Sequence, residues 1–186
     1  MSDNSATPTI TGWTNIVRSP AIGSTFYLTL FAKTAAGTEG TVTPSSSGSI
    51  YGTSVCEYSG TANPYATDGT AASQTAASNV SSYATPSITT TNAHDLIFTV
   101  AFVLALSGSV TSPSWTTATE FLGNTTVLTG GLMFCGQNIV SSAQSGYTDT
   151  AHWTDGFTIQ QATIIAAFKA TAPTRVGPFV GHIGHA

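Results

Sequence analysis

Charged side chains are scarce in this sequence. Four Lys plus Arg and eight Asp plus Glu make up 6% of 186 residues, against about 25% in an ordinary soluble domain. The few cations are not clustered, so no basic patch exists to neutralise a phosphate backbone, and nucleic acid is excluded as a partner. The carboxylates are scattered, with Glu57 and Glu120 alone falling inside strand-like segments. A glycosidase needs two facing carboxylates about 5–10 Å apart, a pair that scattered positions do not point to. Cysteine is limited to Cys56 and Cys135, with 78 residues between them. They are either a disulfide contributing about 4 kcal/mol through loop closure or two buried thiols behaving as small hydrophobes. The opening Met1-Ser2-Asp3-Asn4-Ser5 has neither the basic region nor the apolar stretch of a secretory signal, which favours thiols in a reducing compartment. The longest apolar run, residues 96–106, is interrupted by Thr99. It is about half a membrane span, so membrane insertion is not expected and the run reads as a buried strand.

What the chain does have is core material under a hydroxyl-rich exterior. Hydrophobic residues make up 41% and aromatics 10%, beside 34 Thr and 22 Ser. Low hydrophobicity with high charge is the mark of disorder, and this composition is its opposite. Thr packs well on a pleated surface, and apolar residues recur with period two, without helical periodicity. Strands are expected at 26–33, 40–44, 50–58, 85–90, 95–106, 114–122, 127–140, 147–153 and 157–170, with Gly130-Gly131 marking a bulge or bend. Residues 61–82, rich in Ala, Ser, Thr, Gly and Asn, read as a long surface connection. The expected fold is all-β, an antiparallel β-sandwich of jelly-roll type with at least eight strands. Core candidates are Phe26, Leu28, Leu30, Ile97, Val100, Phe102, Leu104, Ile159, Ile164 and Phe168. The organisation is an N-terminal arm (1–11), a sandwich domain (12–170) and a C-terminal extension (171–186).

One order of short motifs is familiar. Gly12-Trp13-Thr14 precedes a strand and Phe26-Tyr27-Leu28-Thr29-Leu30-Phe31-Ala32-Lys33 follows. Then come Glu57-Tyr58-Ser59-Gly60, Asn63-Pro64, the stretch from Pro86 to Thr91, and Asp95-Leu96-Ile97. Over residues 12–170 this resembles GWT-containing β-sandwich domains of phage and prophage structural proteins and bacterial surface proteins. The resemblance implies an architecture and carries no catalytic residues. Such domains usually have one or two strands before the GWT segment, and eleven residues precede Gly12 here. The resemblance therefore implies a sandwich short of its first strand or two, with an edge that needs covering.

Individual candidates for chemistry are thin. His182-x-x-His185 is the one pair of potential metal ligands close in sequence, and two His fall short of a closed zinc site. His94-Asp95 could form a dyad with one of many serines, without a Gly-x-Ser-x-Gly elbow. Asn79-Val80-Ser81 and Asn124-Thr125-Thr126 fit the glycosylation pattern, which Ser/Thr abundance produces readily. No catalytic, cofactor-binding or metal residue is assigned, and no cofactor is expected. Trp13 and Trp153 are expected in the core, and Tyr65 and Tyr83, in polar stretches, at the surface as glycan contacts.

The functional expectation is a non-enzymatic structural subunit of a virion or other surface assembly (decoration, fibre or coat), assembled in a host cytoplasm. It would self-associate as a homo-oligomer or larger assembly through strand edges and terminal arms. Val176, Phe179, Val180 and Ile183 in the C-terminal extension, or the arm 1–10, are the expected contacts with an adjacent subunit. The alternative is a carbohydrate-binding or adhesive module at an extracellular cell surface.

Overall fold

A computed structural model describes residues 1–2, 6–23, 25–37, 40–59, 61–118, 120–128, 130–154 and 157–170, with backbone alone for 106–107, 120–128 and 158–159. Among the described residues ten strands run in chain order: β1 Thr14–Arg18, β2 Thr29–Ala32, β3 Ala72–Ala76, β4 Ser82–Ala84, β5 Leu96–Ser107, β6 Thr111–Trp115, β7 Glu120–Leu128, β8 Gly131–Ile139, β9 Thr150–Thr154 and β10 Phe157–Phe168. All pairings are antiparallel, and the fold is all-β. A five-stranded sheet has the order β3-β10-β5-β8-β7, a three-stranded sheet β4-β9-β6, and β1 pairs with β2.

The long strand β5 explains how the layers stack. Successive side chains of a strand point to opposite faces. Phe98, Val100 and Phe102 join Met133, Cys135, Ala162 and Ile164 in one apolar cluster, whereas Ala101, Val103 and Ala105 join Leu132, Phe134, Ala151 and Trp153 in another. Both faces are buried, so the sequence of β5 is nearly continuously apolar instead of alternating. One face is covered by β4-β9-β6, with Tyr83, Trp115 and Trp153 packed inward. The same face continues through Ile97, Ile165, Ala167, Ile88 and Val140. The other face is covered by β1, β2 and irregular chain, through Met1, Val17, Ile22, Phe26, Leu28, Leu30, Cys56 and Tyr58. Thr99 and Thr163, buried within the sheet, satisfy their hydroxyls on the carbonyls of Gly136 and Ala84.

Leu28, Ile97, Val100, Phe102 and Ile164 are buried; Phe26, Leu30, Leu104 and Phe168 are half-buried against the cluster that holds Leu28, Val100, Phe102 and Ile164. The side chain of Ile159 lies outside the described residues.

Several boundaries depart from expectation. The supposed surface connection 61–82 instead extends the large sheet. Within it Ala72–Ala76 pairs with β10, and Thr67 and Thr61 bridge Phe168 and Ala170. Its small polar residues hid a strand stabilised by backbone pairing to a buried neighbour. Conversely, 40–44 and 50–58 form no ladder. At or beside them the chain makes single bridges to the N-terminal segment, Ser45 to Thr9 and Ile50 to Ser2. Residues 85–90 are reduced to one bridge, Ile88 to Tyr147. The stretch 127–140 is a hairpin, turning at Gly130 with φ 78°. A Cβ there would lie 2.8 Å from the Ala105 carbonyl oxygen, which is why glycine occupies this turn. The N-terminal arm packs on its own chain: Ser2 exchanges hydrogen bonds with Tyr27, and Met1 enters the core cluster.

Candidate functional site

The irregular cover leaves space. Between it and the large sheet lies a cavity of about 510 Å³, within the range of small-ligand sites and more than three times the ~150 Å³ of an engineered apolar cavity that stays dry. Its floor is the sheet face carrying Leu96, Phe98, Val100, Met133, Cys135 and Phe168. Its cover comes from Leu28 to Ala35 and from residues 52–59, with Ile10 and Trp13 from the N-terminal segment. Aromatic edges shape it: Tyr58 meets Phe98 with centroids 6.2 Å apart, and Tyr65 meets Phe168 at 6.3 Å, both edge-on. The backbone N–H of Tyr65 donates to the Thr34 hydroxyl at 2.9 Å, which ties the loop after Asn63-Pro64 to the end of β2.

Both thiols line this chamber and both are free. Burial, with the nearby Cys56 adding to it, pushes the Cys135 thiol up to about 12. Burial also raises Cys56, partly offset by hydrogen bonds with Tyr58 and Ser54. Both shifts lower the thiolate fraction at neutral pH, and with it nucleophilic reactivity. Glu57 is exposed at the lining, and Lys33 contributes the stem of its side chain beside Gly12.

At the end of the chamber where β10 stops, two buried carboxylates fix the loops. Asp68 accepts from the Thr91 and Asn92 backbone N–H groups at 2.6 and 2.8 Å, and from the Thr91 hydroxyl at 2.8 Å. Burial alone would raise its pKa, but hydrogen bonds from Asp95, Thr91 and Asn92 outweigh burial and hold it well below the usual carboxylate range. Asp95 is the partner that takes up a proton first as pH falls. Burial, then its hydrogen bond to Asp68 and the Asp68 charge, push it up to about 6, and its other contact is the Ala170 N–H at 3.4 Å. One proton shared between two adjacent carboxyls is what like-charge repulsion dictates. A third buried carboxylate, Asp149, accepts from the N–H groups of Thr117, Ala118 and Thr150, each at 2.8 Å, and so clamps the loop after β6 to β9.

The candidates read from sequence are dispersed. Tyr65 lies at the chamber, while Tyr83 packs half-buried against the Trp153 cluster on the opposite face. Trp153 is buried as expected, whereas Trp13 is half-buried at the chamber. His94 is exposed with φ 65°, whereas the adjacent Asp95 is buried. Asn79 is exposed. Val176, Phe179, Val180, Ile183, His182 and His185 lie outside the described residues, as do the side chains of Glu120 and Asn124. Among the described residues no three His, Cys, Asp or Glu side chains converge, and no helix is long and apolar enough to cross a membrane. The carboxyl pair escaped the sequence reading, although Asp68-Gly69 and Thr91-Asn92 are turn residues whose side chains commonly bond local backbone. No family model, curated protein or solved structure matches the chain.

Proposed function

We propose that the chain is a non-enzymatic structural subunit of a virion or other surface assembly, self-associating through its strand edges. The observation that carries this reading is the winding of the strands. From β3 to β10 every connection crosses between the two sheets except the β7–β8 hairpin, giving β3-β10-β5-β8 opposite β4-β9-β6. We read that order as two Greek keys wrapped into a jelly roll, with β7 paired to β8 instead of joining β6. Jelly rolls are common in capsid and lectin domains, so the step from winding to role is an analogy of architecture. The resemblance around Gly12-Trp13-Thr14 points the same way. The use of the buried carboxylates agrees: Asp68 and Asp149 clamp loops, as in a scaffold.

Edge geometry narrows the route of association. β4 has three residues, and β6 carries Pro113 and a register shift, both of which blunt an edge. β7, nine residues long, is the most extended terminal strand of the large sheet. Light scattering on the full chain tests the proposal: a multi-subunit particle is expected, and a monomer across the accessible concentration range contradicts it. A carbohydrate-binding or adhesive role is the second reading, favoured by Trp13 and Tyr65 lining one chamber; sugar binding by a monomeric chain would select it.

A further inference from the structure

We propose that Cys56 and Cys135 form a redox latch, which closes as a disulfide and fastens the irregular cover to the large sheet. They are the chain's two cysteines, and both are free thiols lining the chamber. Cys135 sits on β8, held by the ladder opposite Val100 of β5. Cys56 belongs to the cover, in the stretch 50–58 that makes no ladder.

Two separate contacts put the thiols side by side. Tyr58 meets Phe98 edge-on, and Val100 follows Phe98 on the same face of β5, a step of about 6.5 Å. The two residues from Tyr58 back to Cys56 can span the same step, which reaches the Val100–Cys135 pair. The Ser54 hydroxyl fixes the direction, because it hydrogen-bonds both thiols. Cys56 accordingly packs against the apolar cluster that contains Cys135, Val100 and Phe98. A disulfide needs Cα atoms about 4.4–6.8 Å apart. Strand β8 is paired on both sides, by β5 and β7, so any adjustment falls to the stretch around Cys56.

The exchange chemistry follows from exposure. Cys56 is half-buried and Cys135 buried, so an oxidant of the small-disulfide class meets Cys56 first. The Cys56 thiolate attacks one sulfur of that disulfide and expels the other as a thiolate. Cys135 then gives up its proton, attacks Cys56 Sγ and expels the second small thiol. Two protein thiols become one disulfide, and their two electrons and two protons leave with the oxidant as two thiols. Burial raises both cysteines, so the exchange is slow at neutral pH and quickens as pH rises. A reducing compartment keeps the latch open and an oxidising one closes it. The closed bond would hold down the side of the sheet that is roofed by loops, whether or not copies assemble.

The test uses the full native chain, incubated with oxidised glutathione at mildly alkaline pH and then unfolded, alkylated and mapped by peptide mass. A Cys56–Cys135 bond within one chain, lighter by two hydrogen atoms, is the expected product. A disulfide-linked dimer, a glutathione adduct that stays on Cys56, or bond formation only after prior unfolding in urea overturns the proposal. Hydrogen exchange then reads the latch itself. Amides of 52–59 should exchange about tenfold more slowly after oxidation, with circular dichroism unchanged, and in Cys56→Ser the oxidant should leave them unaltered. Equal protection before and after bond formation, or the same slowing in Cys56→Ser, would show that the bond does not fasten the cover.

Discussion

The two faces of the large sheet are covered in different ways, and the contrast accounts for where the molecule is tight and where it is open. On one side the cover is a hydrogen-bonded sheet whose register places large residues over small ones. Trp115 lies over Gly136, where an added Cβ would come within 2.6 Å of its ring, and its indole meets Phe134 with centroids 5.5 Å apart. On the other side, two short strands and isolated bridges carry Ser-, Thr- and Gly-rich chain. Without a ladder to fix the spacing, that cover stands off the sheet and leaves the chamber. A buried face can thus be sealed by regular pairing or merely roofed by loops, and only the second leaves space for an occupant.

Truncations on the two faces should separate these cases. Phe134→Ala, on the tight side, is expected to cost about 3–5 kcal/mol in urea unfolding, because a large void opens among fixed neighbours. Leu28→Ala, buried but lining the chamber, should fall near the lower end of the usual range, about 2–3 kcal/mol. Equal losses would erase the distinction. Gly136→Ala should cost about 1–3 kcal/mol by overpacking beneath Trp115 and Ala118; a neutral result would show that the tight side yields as easily as the other.

A smaller effect belongs to the carboxyl pair at the end of the chamber. Asp95, raised to about 6, favours the folded state most when protonated, so its contribution is complete below about 4 and is lost as pH rises through 6. Asp68, held low, contributes above about 4 and is lost as pH falls further. Stability should therefore peak near pH 4 and drop by about 1 kcal/mol from pH 5 to 7. Asp95→Asn should remove that drop; a drop that persists in the variant would assign it elsewhere.

The parts of this fold that were legible in sequence are those where local pattern and tertiary environment agree. The run from Leu96 to Phe102, apolar but for Thr99, reads as a buried strand, and a strand is expected at 157–170, where β10 lies. Ala72-Ser73-Gln74-Thr75-Ala76 carries no such pattern, because its strand is made by pairing along β10 and not by burying side chains. The stretches 40–44 and 50–58 show the reverse error: β-prone residues without a neighbour to pair with stay irregular. The chamber was illegible for the same reason, since it exists where pairing fails. The Asp68–Asp95 contact joins positions far apart in the loops, and only tertiary proximity couples their protons.

Native-state hydrogen exchange of backbone amides tests the two-cover account most directly, because protection reports local opening. The account predicts the slowest exchange in β5, β8 and β10, slow exchange in β9, and much faster exchange throughout 40–58. Protection in 40–58 equal to that of β9 would contradict it, as it would show both faces sealed alike.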